Sequence, residues 1–178
     1  MIQPYLDEIG ATILKYNSYF NRYFTNVEQS EELGYVHNGD EIVFPNDTYG
    51  NYFYLRIPSK ISVTYDAINN NGNFNAVGLN TVISLVAMVK DADPQKLALN
   101  LMSTIGRACN YTKKFTQILI HNEDVIATEL QQCSENVIAK ALQCASDDFT
   151  LISINFTLTI NQPFLQLNCI TNPCKSCS

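Results

Sequence analysis

The sequence has no tryptophan, only two histidines, His37 and His121, and only seven glycines among 178 residues. None of the glycines falls in a Walker or G-x-G-x-x-G pattern, so the loops that cradle nucleotide phosphates are missing. There is also no G-x-S-x-G elbow and no H-E-x-x-H helix. Without those signatures the chain gives no sequence warrant for catalysis, and it is read as a non-enzyme that needs no cofactor. Basic residues are scarce as well: 11 Lys and Arg face 17 Asp and Glu, a net charge of -6. Binding to nucleic acid without sequence preference comes from Lys and Arg neutralising phosphates, so this balance argues against it, and direct sequence-specific nucleic-acid contact is not expected either. Long apolar runs are absent too. None approaches the roughly 20 residues of a membrane-crossing helix, and "MIQPYLDEIG" has no basic region ahead of an apolar block, so neither a span nor a secretory signal is expected.

What the chain does have is periodicity. From Pro4 to about Asn26, apolar and aromatic residues recur at helical spacing and predict an amphipathic N-terminal helix. The acidic stretch "EQSEELGYVHNGDE" reads as a loop, with Asn38-Gly39 marking a turn. "EIVF" and "YFYLRIPSKISVTYDA" alternate as strands, with Phe53, Leu55 and Ile57 on one face and Pro58 at a hairpin turn or an edge. The polar segment "INNNGNFNAVG" predicts a loop, and the apolar run Val82 to Val89 a strand covered on both faces. Asp93 as cap, Pro94 in a first turn and the stripe Leu97, Leu101, Ile105, Cys109 predict a helix. Phe115, Ile118, Leu119, Val125, Ile126, Leu130 and Cys133 fit a second helix over Tyr111–Gln132, although "FTQILI" taken alone also reads as a strand, and Ser134 opens a third with Val137, Ile138, Ala141 and Leu142 inward. Finally, Ile152, Ile154, Phe156, Leu158 and Ile160 alternate with polar residues in a half-buried strand whose polar side is wet or docks onto a partner.

Strands followed by helices, without regular βαβ alternation, predict an α+β fold. The expected form is a mainly antiparallel sheet with helices packed on one face, an N-terminal helix and an extended C-terminal tail. The domain is placed at residues 1–162 and the tail at 163–178.

Two segments stand out as candidate sites. The tail "LNCITNPCKSCS" carries Cys169, Cys174 and Cys177, three of the four ligands a structural zinc takes; a disulfide or a reduced tail are the other readings. The loop residues Asn70, Asn71, Gly72 and Phe74 offer a polar interaction tip with one apolar anchor. The adjacent Asp147-Asp148 reads as a solvated turn in preference to a catalytic carboxylate pair, and Cys109, Cys133 and Cys144 read as small core residues.

The segments "VKDADPQKLALNLMSTI", "ENVIAKALQ", "ISINFTLT" and "NPCKSC", with the aromatic N-terminal helix, resemble structural proteins of tailed phages of gut Bacteroidota, the crAss-like group included. The resemblance implies a virion protein assembled in the host cytoplasm: a neck or head-to-tail connector subunit that forms a homo-oligomeric ring and contacts portal, neck or tail proteins. It carries no catalytic residues. A small zinc-binding regulatory or protein-binding module, using the three terminal cysteines, is the rival expectation.

Overall fold

A computed structural model describes residues 2–30, 32, 34–57, 62–67, 74–108, 112–131 and 133–163, of which 62–67, 74–79, 112 and 161–163 are described by backbone alone. The described chain runs α1 (Gln3–Tyr16), β1 (Arg22–Phe24), β2 (Glu28–Gln29), β3 (Val36–Asn38), β4 (Glu41–Phe44), a 3-10 turn at Asp47–Tyr49, β5 (Tyr52–Arg56), β6 (Ser62–Ala67), β7 (Phe74–Lys90), α2 (Pro94–Arg107), β8 (Thr112–Leu119), α3 (Asn122–Glu129), α4 (Glu135–Ser146) and β9 (Phe149–Pro163). The main sheet is ordered β1-β5-β7-β9-β8, with β6 also on β7, and β2-β3-β4 form a second, small sheet. Only β1 and β5 pair in parallel in the main sheet. The expected α+β fold with a mainly antiparallel sheet and an N-terminal helix is therefore what the chain adopts.

The spine is the β7–β9 ladder, paired without a register break from Ala76↔Pro163 to Lys90↔Phe149. Successive residues of a strand face opposite sides, and both sides of this ladder are apolar. On one face Ile83, Leu85, Ala87, Val89, Ile152, Ile154, Phe156 and Leu158 meet Leu6, Ile9 and Ile13 of α1 and Leu97, Leu101 and Ile105 of α2. On the other, Val86, Met88 and Leu151 meet Val125 and Ile126 of α3, Val137 and Ala141 of α4, and Val36, Val43 and Phe44 of the small sheet. Helices thus cover both faces of the sheet, where one had been expected. The reason lies in β5 and β7: Tyr52 and Tyr54 are as fully buried as Phe53 and Leu55, and Val86 and Met88 as their neighbours, so each face needs its own cover.

Four further expectations are corrected. The N-terminal helix stops at Tyr16, because Asn17 turns extended (φ -130) and its side-chain oxygen accepts the Tyr19 amide at 3.1 Å. Phe20 and Tyr23 instead pack on Phe53, with ring centroids 4.8 and 5.6 Å apart, so their helix-like spacing reflects a shared aromatic cluster. The acidic stretch is not a loop, since β2 and β3 lie in it and β4 starts at its last residue; Gly39, at φ 59, does make the tight turn between Asn38 and Glu41. The polar segment after β6 gives way to β7 already at Phe74. The segment Tyr111–Gln132 is not one helix but β8 followed by α3. A bulge between Phe115 and Gln117 leaves both Phe115 (opposite Phe156) and Ile118 (opposite Ile154) on one face, and this spacing of three imitates a helix. Smaller differences follow: Leu142 is half exposed, and β5 and β6 line the same edge of β7 without pairing with each other, while Pro58 lies outside the described residues.

α2 forms where its cap predicts, the Asp93 carboxylate accepting the Lys96 amide at 2.9 Å with Pro94 in the first turn.

Candidate functional site

Two places in the described molecule gather polar side chains: a cluster sealed between the sheet and α3, and a strip of sheet that no helix covers.

The sealed cluster forms where β5 ends and α3 ends. Arg56, the last residue of an otherwise apolar strand, pairs with Glu129, whose side chain is only 3% exposed. Glu129 reaches this position because it continues the inward stripe of Val125 and Ile126 on α3. Its carboxylate also accepts from Ser153 at 3.1 Å and Ser84 at 3.4 Å, on neighbouring strands. Gln29 of the small sheet joins from outside, accepting from Arg56 at 3.3 Å and donating to the Glu129 carbonyl at 3.4 Å. Beside them the fully buried Tyr54 hydroxyl and the Arg56 Nε have no hydrogen-bond partner among the described residues. Burial pulls the Arg56 pKa down, but the neighbouring Tyr54 and Glu129 outweigh it and the net shift is upward. Burial, then the Glu129 charge, pushes Tyr54 well above the ordinary phenol range. Half-buried Cys133 packs on this cluster, its thiol donating to the Gly34 carbonyl at 3.3 Å. Its pKa is raised by burial, which keeps it the neutral thiol, a poor nucleophile. The cluster fastens α3 and the small sheet to the main sheet.

The uncovered strip lies further along the same face of the ladder. The register places Asn80, Thr159 and Thr112 in one row, Val82, Thr157 and Lys114 in the next, and Ser84, Asn155 and Gln117 in a third. Asn80 and Lys114 are exposed and Val82, Asn155, Thr157 and Thr159 half-buried, whereas Ser84 in the third row, and Val86 and Ser153 one row further on, are sealed under α3 and the small sheet. Within the strip Asn155 donates to Gln117 at 2.9 Å, and Thr159 to Asn80 at 3.4 Å.

Cys169, Cys174 and Cys177, and Asn70, Asn71 and Gly72, lie outside the described residues; Phe74 opens β7, opposite Ala67. Among the described residues no group of three or more His, Cys, Asp or Glu is placed to hold a metal. His37 lies 3.0 Å from the Gly39 carbonyl. His121 lines an open groove of about 570 Å3 with Pro94, Asn122, Glu123, Asp124 and Thr150. Asp147 and Asp148 are exposed in a turn, where Asp148 (φ 67) offers its carbonyl to the Asp91 amide, matching the solvated-turn reading.

Sequence reasoning missed Arg56 and Glu129. The available signal was a carboxylate on the apolar phase of a helix, Val125-Ile126-Glu129-Leu130, which is costly to bury without a cationic partner. No protein-family model matches the sequence, and no curated protein does.

Proposed function

We propose that the protein is a virion structural subunit of a tailed phage, a ring-forming head-to-tail connector that joins portal and tail. The observation that supports this reading best is the half-covered sheet. One face of the β7–β9 ladder is closed by α1 and α2, while the other is closed only over its lower rows and presents Asn80, Thr157, Thr159, Lys114 and Gln117 above them. A connector subunit needs a rigid core with polar surface left for neighbours, and non-obligate protein contacts are about as polar as ordinary surface. The sealed polar cluster fits a structural part equally well: its charged groups spend their hydrogen bonds on holding layers together. The sequence resemblance to phage neck proteins adds the assembly in which such a part works, with the 70–74 segment and the terminal cysteines as further contacts to adjacent subunits.

Light scattering on the purified chain tests the reading. A ring subunit gives a mass that is a multiple of 20.0 kDa at high concentration, or after addition of portal or tail protein. A stable 20.0 kDa monomer carrying one equivalent of zinc on Cys169, Cys174 and Cys177 and ignoring those partners favours the regulatory module.

A further inference from the structure

The two edges of the main sheet carry opposite charge. Beside β1 lies the small sheet, whose exposed residues include Glu28, Glu32, Asp40 and Glu41, with Asp47 in the following turn. Among the described residues Arg22 faces them, 3.7 Å from Glu41 and over the Tyr49 ring, while Arg56 beside Gln29 is paired with Glu129. At the far edge β8 opens with Lys113 and Lys114, and the last turn of α2 ends beside it at Arg107; Lys113 donates to the Ala108 carbonyl, which ties these elements together. The nearest acids on that side, Glu123 and Asp124, stand beyond the other end of β8, at the start of α3. On the acidic side Ile42 (41% exposed) follows Asp40 and Glu41, whereas Ile118 (39%) lies near the far end of β8, on the sheet face opposite Lys114.

We propose, building on the connector reading, that these edges dock on each other between copies: the β8 edge of one subunit, with Arg107 and Lys114, sits on the β3–β4 hairpin of the next, with Asp40 and Glu41. The patches differ, so the contact is head-to-tail, and a head-to-tail contact repeats until it closes a ring or runs on as a filament. Complementary charge selects the partner and the orientation. The contact is made by side chains and not by strand addition. Lysines and a bulge are features that keep an edge strand from pairing, and β8 has both. On β4 the outer Ile42 carbonyl is already taken by Asn46 at 2.8 Å and Tyr49 at 3.2 Å.

The test is sedimentation velocity at low and high salt on the intact chain and three variants: Arg107→Glu with Lys114→Glu, Asp40→Lys with Glu41→Lys, and all four together. Circular dichroism and thermal midpoints confirm that each variant folds, and the single changes Lys114→Glu and Asp40→Lys stand in for any that does not. Self-association of the parent chain should weaken about tenfold or more between low and high salt, and each charge reversal should weaken it by a similar factor at low salt. The fourfold variant should recover part of it, because the residues in contact have exchanged sign while Glu28, Glu32, Asp47 and Lys113 keep theirs. If the parent associates and the reversals leave it unchanged, this contact is wrong while the ring reading stands. If the parent remains monomeric at low salt and high concentration, the contact is overturned, and the connector reading is then decided by the composition of the particle.

Discussion

Removal of the Glu129 carboxylate is the most informative single perturbation of this fold. In Glu129→Ala the Arg56 guanidinium, with its side chain 16% exposed, loses its counter-ion, and the Ser84 and Ser153 hydroxyls lose their common acceptor. Breaking one side of a buried ion pair costs about 3–5 kcal/mol, chiefly because the remaining charge stays in a poorly solvated place. For a chain of this size each kcal/mol moves the thermal midpoint by roughly 2–4 °C, so the midpoint should fall by roughly 6–20 °C. Arg56 is not fully sealed, and rotation toward water would bring the loss to the lower end of that range. The double variant Arg56→Met/Glu129→Leu removes both charges together and should recover most of the loss, since apolar replacement of a whole buried pair is often neutral or stabilising. Urea unfolding of the four proteins in the cycle measures the coupling. A Glu129→Ala protein within about 0.5 kcal/mol of the parent, the range of an ordinary surface change, would refute the idea that this pair fastens α3 to the sheet.

Three other outcomes follow from the packing. Ile154→Asp places a charge at a fully buried position opposite Leu85 and should leave no folded protein, which circular dichroism and the soluble yield will show. Gly34→Ala should cost more than about 1 kcal/mol in urea unfolding, since its φ of 77 disfavours a side chain and the new Cβ would fall 2.2 Å from the Cys133 sulfur; Cys133→Ala should restore only part, because the Cys133 backbone is also within 2.9 Å. Burial first and the Glu41 hydrogen bond second push Tyr49 up to about 12, and burial raises Tyr52 and Tyr54 further. Their contribution to stability is therefore complete below the unfolded phenol pKa of about 10 and is lost as pH rises toward and past the folded values. Melting should be flat with respect to these groups from neutral pH to about pH 9 and fall above 10; a midpoint unchanged at pH 11.5 would mean that these phenols are not buried.

Elements whose local pattern agrees with their tertiary role were legible in the sequence. α2 announced itself through Asp93, Pro94 and a single apolar stripe, and β9 through strict alternation. Where tertiary contacts override the local period, reading failed. The bulge at β8 turned a strand into a helical pattern, and the aromatics after Asn17 extended a helix that had ended. The two-sided burial of β5 was half visible, since Tyr52 and Tyr54 occupy the alternate phase to Phe53 and Leu55, but a tyrosine at the polar phase reads equally well as surface. The Arg56–Glu129 pair joins positions 73 residues apart, and nothing local to either residue names the other. The uncovered polar strip was legible as the polar phase of the last strand, although the burial of Ser153 within that phase was not.

A structural part of a virion, the role proposed for this chain, is carried in every particle. Quantitative mass spectrometry of intact, purified phage particles encoding it tests that most directly. The account predicts its peptides at a fixed, low copy number per particle, comparable with that of the portal and tail proteins and retained after washing in high salt. Particles that assemble, carry tails and contain none of this protein would contradict it.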